Sequence, residues 1–230
     1  MFPVIPIIGE VTKPAPWLHL IATLDVVIDA VGGTADIRSV SESLRSSIST
    51  AAKDLRPASA SKLSYIYTSG TWVHGDNRKD IVSDTTPCTN PAKLVAWRLD
   101  QEQRVVTDAN LNGVVIRPGL LYGRSGSLLA SLFKSASEGK VAWYGTPGGR
   151  YNLVHTDDLA DLYVRASERA VIVGGKILDA VNDMTESVDD FLGKLVEVSG
   201  TQGGYEYIKP SNREFLRSFC DTLPRLMGHA

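Results

Sequence analysis

Two histidines are the side chains in this sequence best suited to carry protons near neutral pH. His74 stands between Trp72 and Asp76, and His155 immediately precedes a predicted helix. Because an imidazole titrates close to neutral pH, either ring could act as a general acid or base. We expect His155 to cap and orient the helix that follows it, and we take His74 as the stronger chemical candidate.

Residue types that bind metals or form disulfides do not cluster in the sequence. Asp157 and Asp158 adjoin at a predicted helix start, where carboxylates suit the helix dipole, and no third carboxylate or histidine stands at ligand spacing. The two cysteines, Cys88 and Cys220, are far apart and have no partner at metal spacing. The sequence therefore predicts no metal site and no disulfide framework, and it favours a reducing compartment.

Alternating apolar and amphipathic segments predict the elements that must position these side chains. Short, β-branched runs predict strands at residues 24–31, 62–68, 113–117, 141–144 and 176–181. Apolar residues at helical intervals predict helices at residues 39–55, 92–109, 128–138, 156–169 and 187–198. Strands that alternate with helices indicate an α/β fold with a mostly parallel, doubly wound sheet.

Small turn residues follow three of the predicted strands. They are Gly32-Gly33, Ser69-Gly70 and Pro118-Gly119. The carboxyl ends of parallel strands meet at one edge of a sheet, and glycine and proline turns there let the backbone approach a ligand. Each turn alone is explained by a tight connection between strand and helix, but together they predict a binding crevice.

Composition excludes several classes of function. The 230 residues are 43% hydrophobic and 22% charged, with a formal net charge of -2, as in ordinary globular proteins. No basic run offers a footprint for nucleic acid or for an anionic membrane surface. No apolar run reaches the roughly 18 residues that span a bilayer, and the first residues lack the features of a signal peptide. We therefore expect a cytoplasmic protein without nucleic-acid or membrane partners.

Four segments carry a family likeness. They are Asp25–Ala30, Tyr67–Gly75, Ile116–Gly123 and Asn152–Ala160. Their order and spacing resemble the extended and atypical short-chain dehydrogenase/reductases, the group that contains NAD-dependent sugar epimerases and dehydratases. The likeness runs from about Gly9 to Pro210.

The resemblance implies one NAD(P)-binding, Rossmann-like domain over residues 1–230, with residues 120–155 and 182–230 contributing a small C-terminal substrate lobe. In that family the turn matching Arg117-Pro118-Gly119 lies beside the nicotinamide. The segment matching Val154–Ala160 begins a helix that borders the substrate lobe.

The resemblance also implies NAD or NADP as cofactor, although the motif that holds it is absent. Family members begin with a strand and a Gly-x-x-Gly-x-x-Gly turn, whose backbone N–H groups and helix dipole favour the pyrophosphate. The chain contains no such motif, and Gly9-Glu10 resembles the end of the family's third strand. An incomplete domain is therefore implied, lacking about 60 residues of the usual beginning. The candidate cofactor-binding residues that remain are Gly32, Gly33, Ser69, Gly70, Pro118 and Gly119.

The catalytic positions of the family are replaced as well. There a Tyr held near a Ser or Thr exchanges a proton with the substrate, and a Lys one helical turn later depresses the tyrosine pKa. Alignment on Glu102 puts Leu94 at the tyrosine position and Arg98 at the lysine position. Leucine cannot transfer a proton, and an arginine that stays protonated can only bind an anion or a carbonyl group. Counting back from His74-Gly75, which resembles the family's Tyr-Gly, puts Gly70 at the hydroxyl position. The candidate catalytic residues that remain are Ser69, Thr71, His74 and Arg98.

Three hypotheses follow for the function. The first is an atypical family member without ordinary oxidoreductase catalysis, acting on a small molecule as an NAD(P)-related or cofactor-independent lyase or isomerase. The second is a non-catalytic regulatory or scaffold protein. The third is a fragment of an NAD(P)-binding epimerase/dehydratase-like protein.

An incomplete sheet would leave one edge of the predicted strand at residues 24–31 unpaired. Exposed strand edges invite pairing with other chains. We therefore expect either a homodimer through this edge or a cover formed by residues 1–24, whose prolines cannot donate to a strand ladder.

Overall fold

The computed structural model describes residues 4–32, 36–75, 81–124, 129–144 and 147–208. Its strands are β1 (Val26–Asp29), β2 (Leu63–Thr68), β3 (Leu111–Pro118), β4 (Leu120–Tyr122), β5 (Val141–Tyr144), β6 (Arg150–His155), β7 (Ile177–Ala180), β8 (Thr185–Ser187) and β9 (Tyr205–Ile208). Its α-helices are α1 (Ala15–Leu18), α2 (Ile37–Leu55), α3 (Trp97–Val106), α4 (Ala130–Ser137), α5 (Thr156–Glu168), α6 (Ala170–Val173) and α7 (Val188–Ser199). Two 3-10 helices span His19–Ala22 and Thr71–His74.

The main sheet has the strand order β1-β2-β3-β7, and β2 runs parallel to both β1 and β3. A second sheet has the order β4-β6-β8, in which β6 is parallel to β4 and antiparallel to β8. Strands β5 and β9 form a parallel pair. All five predicted strands occur, and the predicted α/β class with a mostly parallel sheet is confirmed.

The helix predicted over residues 92–109 is shorter than expected, because α3 begins only at Trp97. Ahead of it, the N–H of Ala92 donates to the carbonyl of Trp72, and the N–H of Val95 donates to the carbonyl of Ala92. These bonds hold residues 92–96 in turns, so Leu94 lies before the helix rather than on it. None of the described helices combines the length and the apolarity that crossing a bilayer requires.

The first compact unit comprises Met1–Ser69, Trp97–Ile116 and Ala166–Ile177. Its core forms because α2, which contains neither Gly nor Pro, turns Leu44 and Ile48 toward the sheet. Tyr65 of β2 is fully buried there and donates to Asp29 over 2.7 Å. Near the start of β3, a Cβ on Gly113 would lie 1.9 Å from the carbonyl oxygen of Val105, so only glycine allows this approach of α3.

The second compact unit comprises Gly70–Ala96, Arg117–Arg165 and Leu178–Ala230. Its apolar core includes Leu132 of α4, Trp143 of β5 and Leu192 of α7. Helix α7 begins where the Ser187 side chain accepts the N–H of Asp190, and it ends at Gly200, whose φ of 68° suits glycine.

No described strand pairs with the outer edge of β1. Ile28 on this strand is 44% exposed, although a strand inside a parallel sheet would bury it. Preceding residues fold as the helical turns Ala15–Leu18 and His19–Ala22, and Ile21 joins the core of the first unit. Dimerisation through the β1 edge stays a prediction.

Candidate functional site

Ser69, a candidate for both catalysis and cofactor binding, is hydrogen-bonded inside the first unit. It follows β2 directly, and its N–H donates to the carbonyl of Ile116 over 2.8 Å. Its hydroxyl donates to Glu102 Oε1 over 2.5 Å, and Glu102 is 0% exposed. Both donors of Ser69 therefore serve to fix the end of β2.

Arg98, at the position of the family's lysine, also holds the end of β2. Its Nη1 donates to the Tyr67 hydroxyl over 2.8 Å and to the Thr68 carbonyl over 3.2 Å. The guanidinium carbon lies 4.8 Å from the ring centroid of Trp97, a cation–π distance. Burial raises the pKa of Tyr67 above its ordinary value. Arg98 and Ser69 thus meet the same strand end, in contacts that stabilise the fold.

Leu94, at the position of the family's tyrosine, is 41% exposed in the turns before α3. An aliphatic side chain in this place offers no group that exchanges a proton. The assignment of Leu94 and Arg98 to the family's tyrosine and lysine positions stays a prediction.

His74 belongs to a buried polar cluster in the second unit. It ends the 3-10 helix Thr71–His74, and its Nε2 lies 2.8 Å from Asp179 Oδ2 on β7. The Nη1 of Arg117, on β3, lies 3.6 Å from the other carboxyl oxygen, Oδ1. The side chains of His74, Asp179 and Arg117 are only 6%, 12% and 5% exposed. A buried carboxylate flanked by an arginine and a histidine fixes the orientation of the imidazole ring.

The second ring nitrogen of His74 faces a thiol. Cys88 Sγ lies 3.6 Å from His74 Nδ1, and Cys88 is half-buried. When the neutral ring donates its Nε2 proton to Asp179, Nδ1 becomes an acceptor that points at the sulfur. Nucleophile, base and orienting carboxylate then follow one another in the order that activated nucleophiles use.

Thr71, Pro118 and Gly119 pack against one another and against β6 in the second unit. The Thr71 hydroxyl lies 3.4 Å from both the Pro118 carbonyl and Asn152 Oδ1. The N–H of Gly119 donates to the Ala180 carbonyl over 3.0 Å, and a Cβ on Gly119 would lie 2.6 Å from the Asn152 carbonyl oxygen. Gly119 therefore has to be glycine, because a side chain there would clash with the backbone of β6.

Among the described residues, two backbone N–H groups at the candidate cofactor turns are already engaged within the fold. The chain has no Gly-x-x-Gly-x-x-Gly turn, and the described N–H groups of Ser69 and Gly119 donate to backbone carbonyls. A Cβ on Gly70 would lie 3.8 Å from the nearest heavy atom, an ordinary contact, so nothing there requires glycine for space. Gly33 lies outside the described residues, and the cofactor role of Gly32 and the other five residues stays a prediction.

His155 has the structural role that its place before a helix predicts. Its Nδ1 accepts the N–H of Asp157 over 3.2 Å at the start of α5. Arg124 pairs with both carboxyl oxygens of Asp157 at 2.9 Å, which lowers the pKa of that carboxyl. A Cβ on Gly123 would lie 2.2 Å from His155 Nε2, so the ring packs directly on the backbone. The predicted capping interaction is confirmed.

Sequence reasoning identified His74 but missed its partners. Asp179 lies near the carboxyl end of a predicted strand, which is also where the predicted turn residues lie. Because ligands bind at that end of parallel strands, this position could have identified Asp179 as a candidate site residue. Arg117 was noted only as part of the Arg-Pro-Gly turn. Cys88 has no motif around it, and its proximity to His74 becomes visible only in the folded chain.

The fold defines the class of protein to which the chain is similar: the Rossmann-like epimerases and dehydratases. No family model and no curated protein matches the sequence. Among solved structures, dTDP-glucose 4,6-dehydratase from Bacillus anthracis, in complex with NAD, aligns with a TM-score of 0.72 at 14% identity, covering 89% of this chain and 67% of that one.

Two further structures show the same likeness. UDP-glucuronic acid 4-epimerase from Bacillus cereus, in complex with UDP-glucuronic acid and NAD, aligns with a TM-score of 0.66 at 18% identity, covering 87% of this chain and 67% of that one. The human epimerase family protein SDR39U1, with NADPH, aligns with a TM-score of 0.66 at 15% identity, covering 83% of this chain and 69% of that one. The chain thus has the fold of these proteins and spans about two thirds of their length.

Proposed function

We propose that this chain is an atypical epimerase/dehydratase-type protein that performs proton transfer on a small molecule, as a lyase or isomerase, without hydride transfer. The observation that carries this proposal is the buried pair of His74 and Asp179, with 2.8 Å between Nε2 and Oδ2. General acid–base catalysis by a positioned histidine contributes typically about 10²–10⁴-fold to a rate.

The second unit supplies what a proton-transferring histidine needs. Asp179 holds the ring in one orientation, and Arg117 keeps a positive charge 3.6 Å from the other oxygen of that carboxyl group. The same carboxyl group therefore lies between Arg117 and His74, and its Oδ2 can accept the Nε2 proton of His74. The Nδ1 atom is then the atom that gives and takes the proton.

Ordinary oxidoreductase chemistry has no comparable support. The tyrosine position holds Leu94, and Arg98 is bound to Tyr67 and Thr68 within the first unit. Ser69 donates its hydroxyl to Glu102. We therefore propose that NAD or NADP, which the similar structures contain, is not required by this chain.

The experiment that tests this function separates proton transfer from hydride transfer. The purified chain is incubated in D₂O with UDP-glucuronic acid, with dTDP-glucose and with other sugar nucleotides, each with and without NAD or NADP. We expect deuterium to enter a substrate without a change in nicotinamide absorbance. His74→Gln should abolish the exchange, whereas His19→Gln, at an exposed residue of the first unit, should leave it unchanged. Reduction of nicotinamide during turnover would overturn the proposal.

A regulatory or scaffold protein is the second candidate, and one observation favours it. Arg98, at the family's lysine position, and Ser69, next to the hydroxyl position at Gly70, form intramolecular contacts that a binding protein would retain. Calorimetric titration with NADH, NADPH and the same sugar nucleotides distinguishes the candidates. Binding without deuterium exchange in any substrate would favour the scaffold.

We also propose a cytoplasmic location, which the two widely spaced cysteines support.

We further propose a homodimer formed through the β1 edge, which the exposed Ile28 supports. Sedimentation of the wild-type chain and of Ile28→Lys tests the dimer, because a lysine at an edge opposes strand pairing. We expect the variant to sediment as a monomer, and equal sedimentation of both chains as monomers would overturn the dimer.

A further inference from the structure

The side chains of Cys88, His74 and Asp179 lie next to one another in the second unit, and the proposed proton transfer gives no role to Cys88. Cys88 Sγ lies 3.6 Å from His74 Nδ1, and His74 Nε2 lies 2.8 Å from Asp179 Oδ2. Any proton that leaves or enters His74 at Nδ1 therefore does so next to a sulfur atom.

A thiol in this position is set up for nucleophilic attack. The thiolate is the reactive form of cysteine, and a base within reach of the sulfur raises the reactivity at neutral pH. When the neutral ring donates its Nε2 proton to the carboxylate on the opposite side, Nδ1 is the acceptor that faces Sγ, and the carboxylate stabilises the imidazolium once the proton has moved. Cys88 is also half-buried rather than fully buried.

We propose that Cys88 is a nucleophile, activated by His74 and Asp179, that accepts an acyl group from an activated ester or thioester. This inference rests on the role of His74 in the proposed function and assigns that base a partner. It names a covalent chemistry that the family resemblance does not imply.

The proposed step balances as an acyl transfer. The sulfur of Cys88 attacks the acyl carbon while its proton passes to His74 Nδ1. The bond from the acyl carbon to the leaving oxygen or sulfur breaks, and the leaving group takes the proton from Nδ1. Water then hydrolyses the thioester on Cys88 with His74 as base, which releases a carboxylic acid and restores the thiol.

The alternative is a structural contact. Cys88 Sγ also lies 3.9 Å from the Thr86 carbonyl, a distance that suits a weak S–H hydrogen bond. In that case the thiol would be shielded by the fold and would react more slowly in the native protein than in the unfolded chain. The two interpretations therefore predict opposite effects of unfolding on the reactivity of Cys88.

The first test compares native and urea-unfolded wild-type protein with iodoacetamide as the probe. Trypsin separates the two cysteines, because Cys88 falls in the peptide of residues 80–93 and Cys220 in that of residues 218–225. At neutral pH we expect alkylation of Cys88 to be about tenfold faster, or more, in the native chain than in urea. A native rate equal to or below the unfolded rate overturns the proposal.

The second test adds acyl transfer and the two activating residues. With p-nitrophenyl acetate, native wild-type protein should release one equivalent of p-nitrophenolate in a burst that Cys88→Ser lacks. His74→Gln and Asp179→Asn should each slow the alkylation of Cys88 about tenfold or more, while circular dichroism confirms that both variants are folded. A wild-type protein without a burst, or folded variants that react as fast as wild type, would overturn the assignment.

These outcomes are distinct from a failure of the proposed function. Fast, His74-dependent labelling without deuterium exchange in any sugar nucleotide leaves the nucleophile standing and removes the lyase or isomerase proposal. Deuterium exchange that persists in Cys88→Ser, together with slow labelling, removes the nucleophile and leaves the proton-transfer proposal intact.

Discussion

We predict that the hydroxyl of Ser69 stabilises the fold and performs no chemistry. Its bond to Glu102 Oε1 is 2.5 Å long, and Glu102 is 0% exposed, so water cannot easily replace the hydroxyl as a donor. Removing one partner of such a buried hydrogen bond costs about 1–3 kcal/mol. We therefore expect Ser69→Ala to lower the free energy of unfolding by about 2 kcal/mol, within that range.

A double-mutant cycle measured by urea denaturation checks this value. In Glu102→Gln the hydroxyl of Ser69 can still donate to the amide oxygen, so the loss should be smaller, and the two changes should be coupled by about 1 kcal/mol. Ser137→Ala is the matched control, because that exposed hydroxyl donates to the Lys134 carbonyl within its own helix. A Ser69→Ala chain as stable as the control variant would refute the reasoning and return the hydroxyl to the catalytic candidates.

Three further predictions concern stability. Gly113→Ala should lower the free energy of unfolding by about 1–3 kcal/mol, because the new Cβ would lie 1.9 Å from the Val105 carbonyl oxygen. Gly193→Ala inside α7 meets nothing within 4 Å and should raise the free energy of unfolding by about 0.5–1 kcal/mol. Urea midpoints that shift in the same direction for both variants would contradict this prediction. Burial raises the pKa of Asp29. Its contribution to the free energy of unfolding is therefore present below the ordinary aspartate pKa and is lost as the pH rises through the raised value. In urea titrations across the acid range, Asp29→Asn should lack this dependence of stability on pH. Hydrogen bonds from the Gly148 N–H and from two tyrosine hydroxyls lower the pKa of Asp189. Its contribution to the free energy of unfolding is therefore present above the ordinary aspartate pKa and is lost as the pH falls through the lowered value. An Asp189→Asn chain whose stability falls at low pH as it does in the wild type would contradict this prediction.

Long, periodic segments were predictable from the sequence. The helix predicted over residues 39–55 corresponds to α2, and the strand predicted over residues 62–68 corresponds to β2, because both patterns extend over several turns or pleats. The short strands β4 and β8 were not predicted. Each has three residues, which is too few to show an alternating pattern. Both are strands because they pair with β6, and this pairing is not visible in the sequence.

The candidate site was predictable only at its centre. His74 was recognisable because its residue type suits proton transfer near neutral pH. Asp179 stands 105 residues away in the sequence and reaches His74 only through the order of strands in the sheet. Cys88 lies in an irregular stretch without helix or strand, where no pattern predicts which side chains meet.

The replacement at Leu94 and the cluster at His74 bear on one question, which is where a proton donor could reside. In the family that the sequence resembles, a phenol beside the cofactor donates the proton, so its chemistry needs both the tyrosine and a bound dinucleotide. A histidine held by Asp179 and facing Cys88 needs neither, because an imidazole can exchange a proton without a neighbouring lysine or nicotinamide. In the proposed function, chemistry centred on His74 makes a tyrosine at the position of Leu94 dispensable. The two variants that decide this are Leu94→Tyr, which should leave deuterium exchange unchanged, and His74→Gln, which should abolish it.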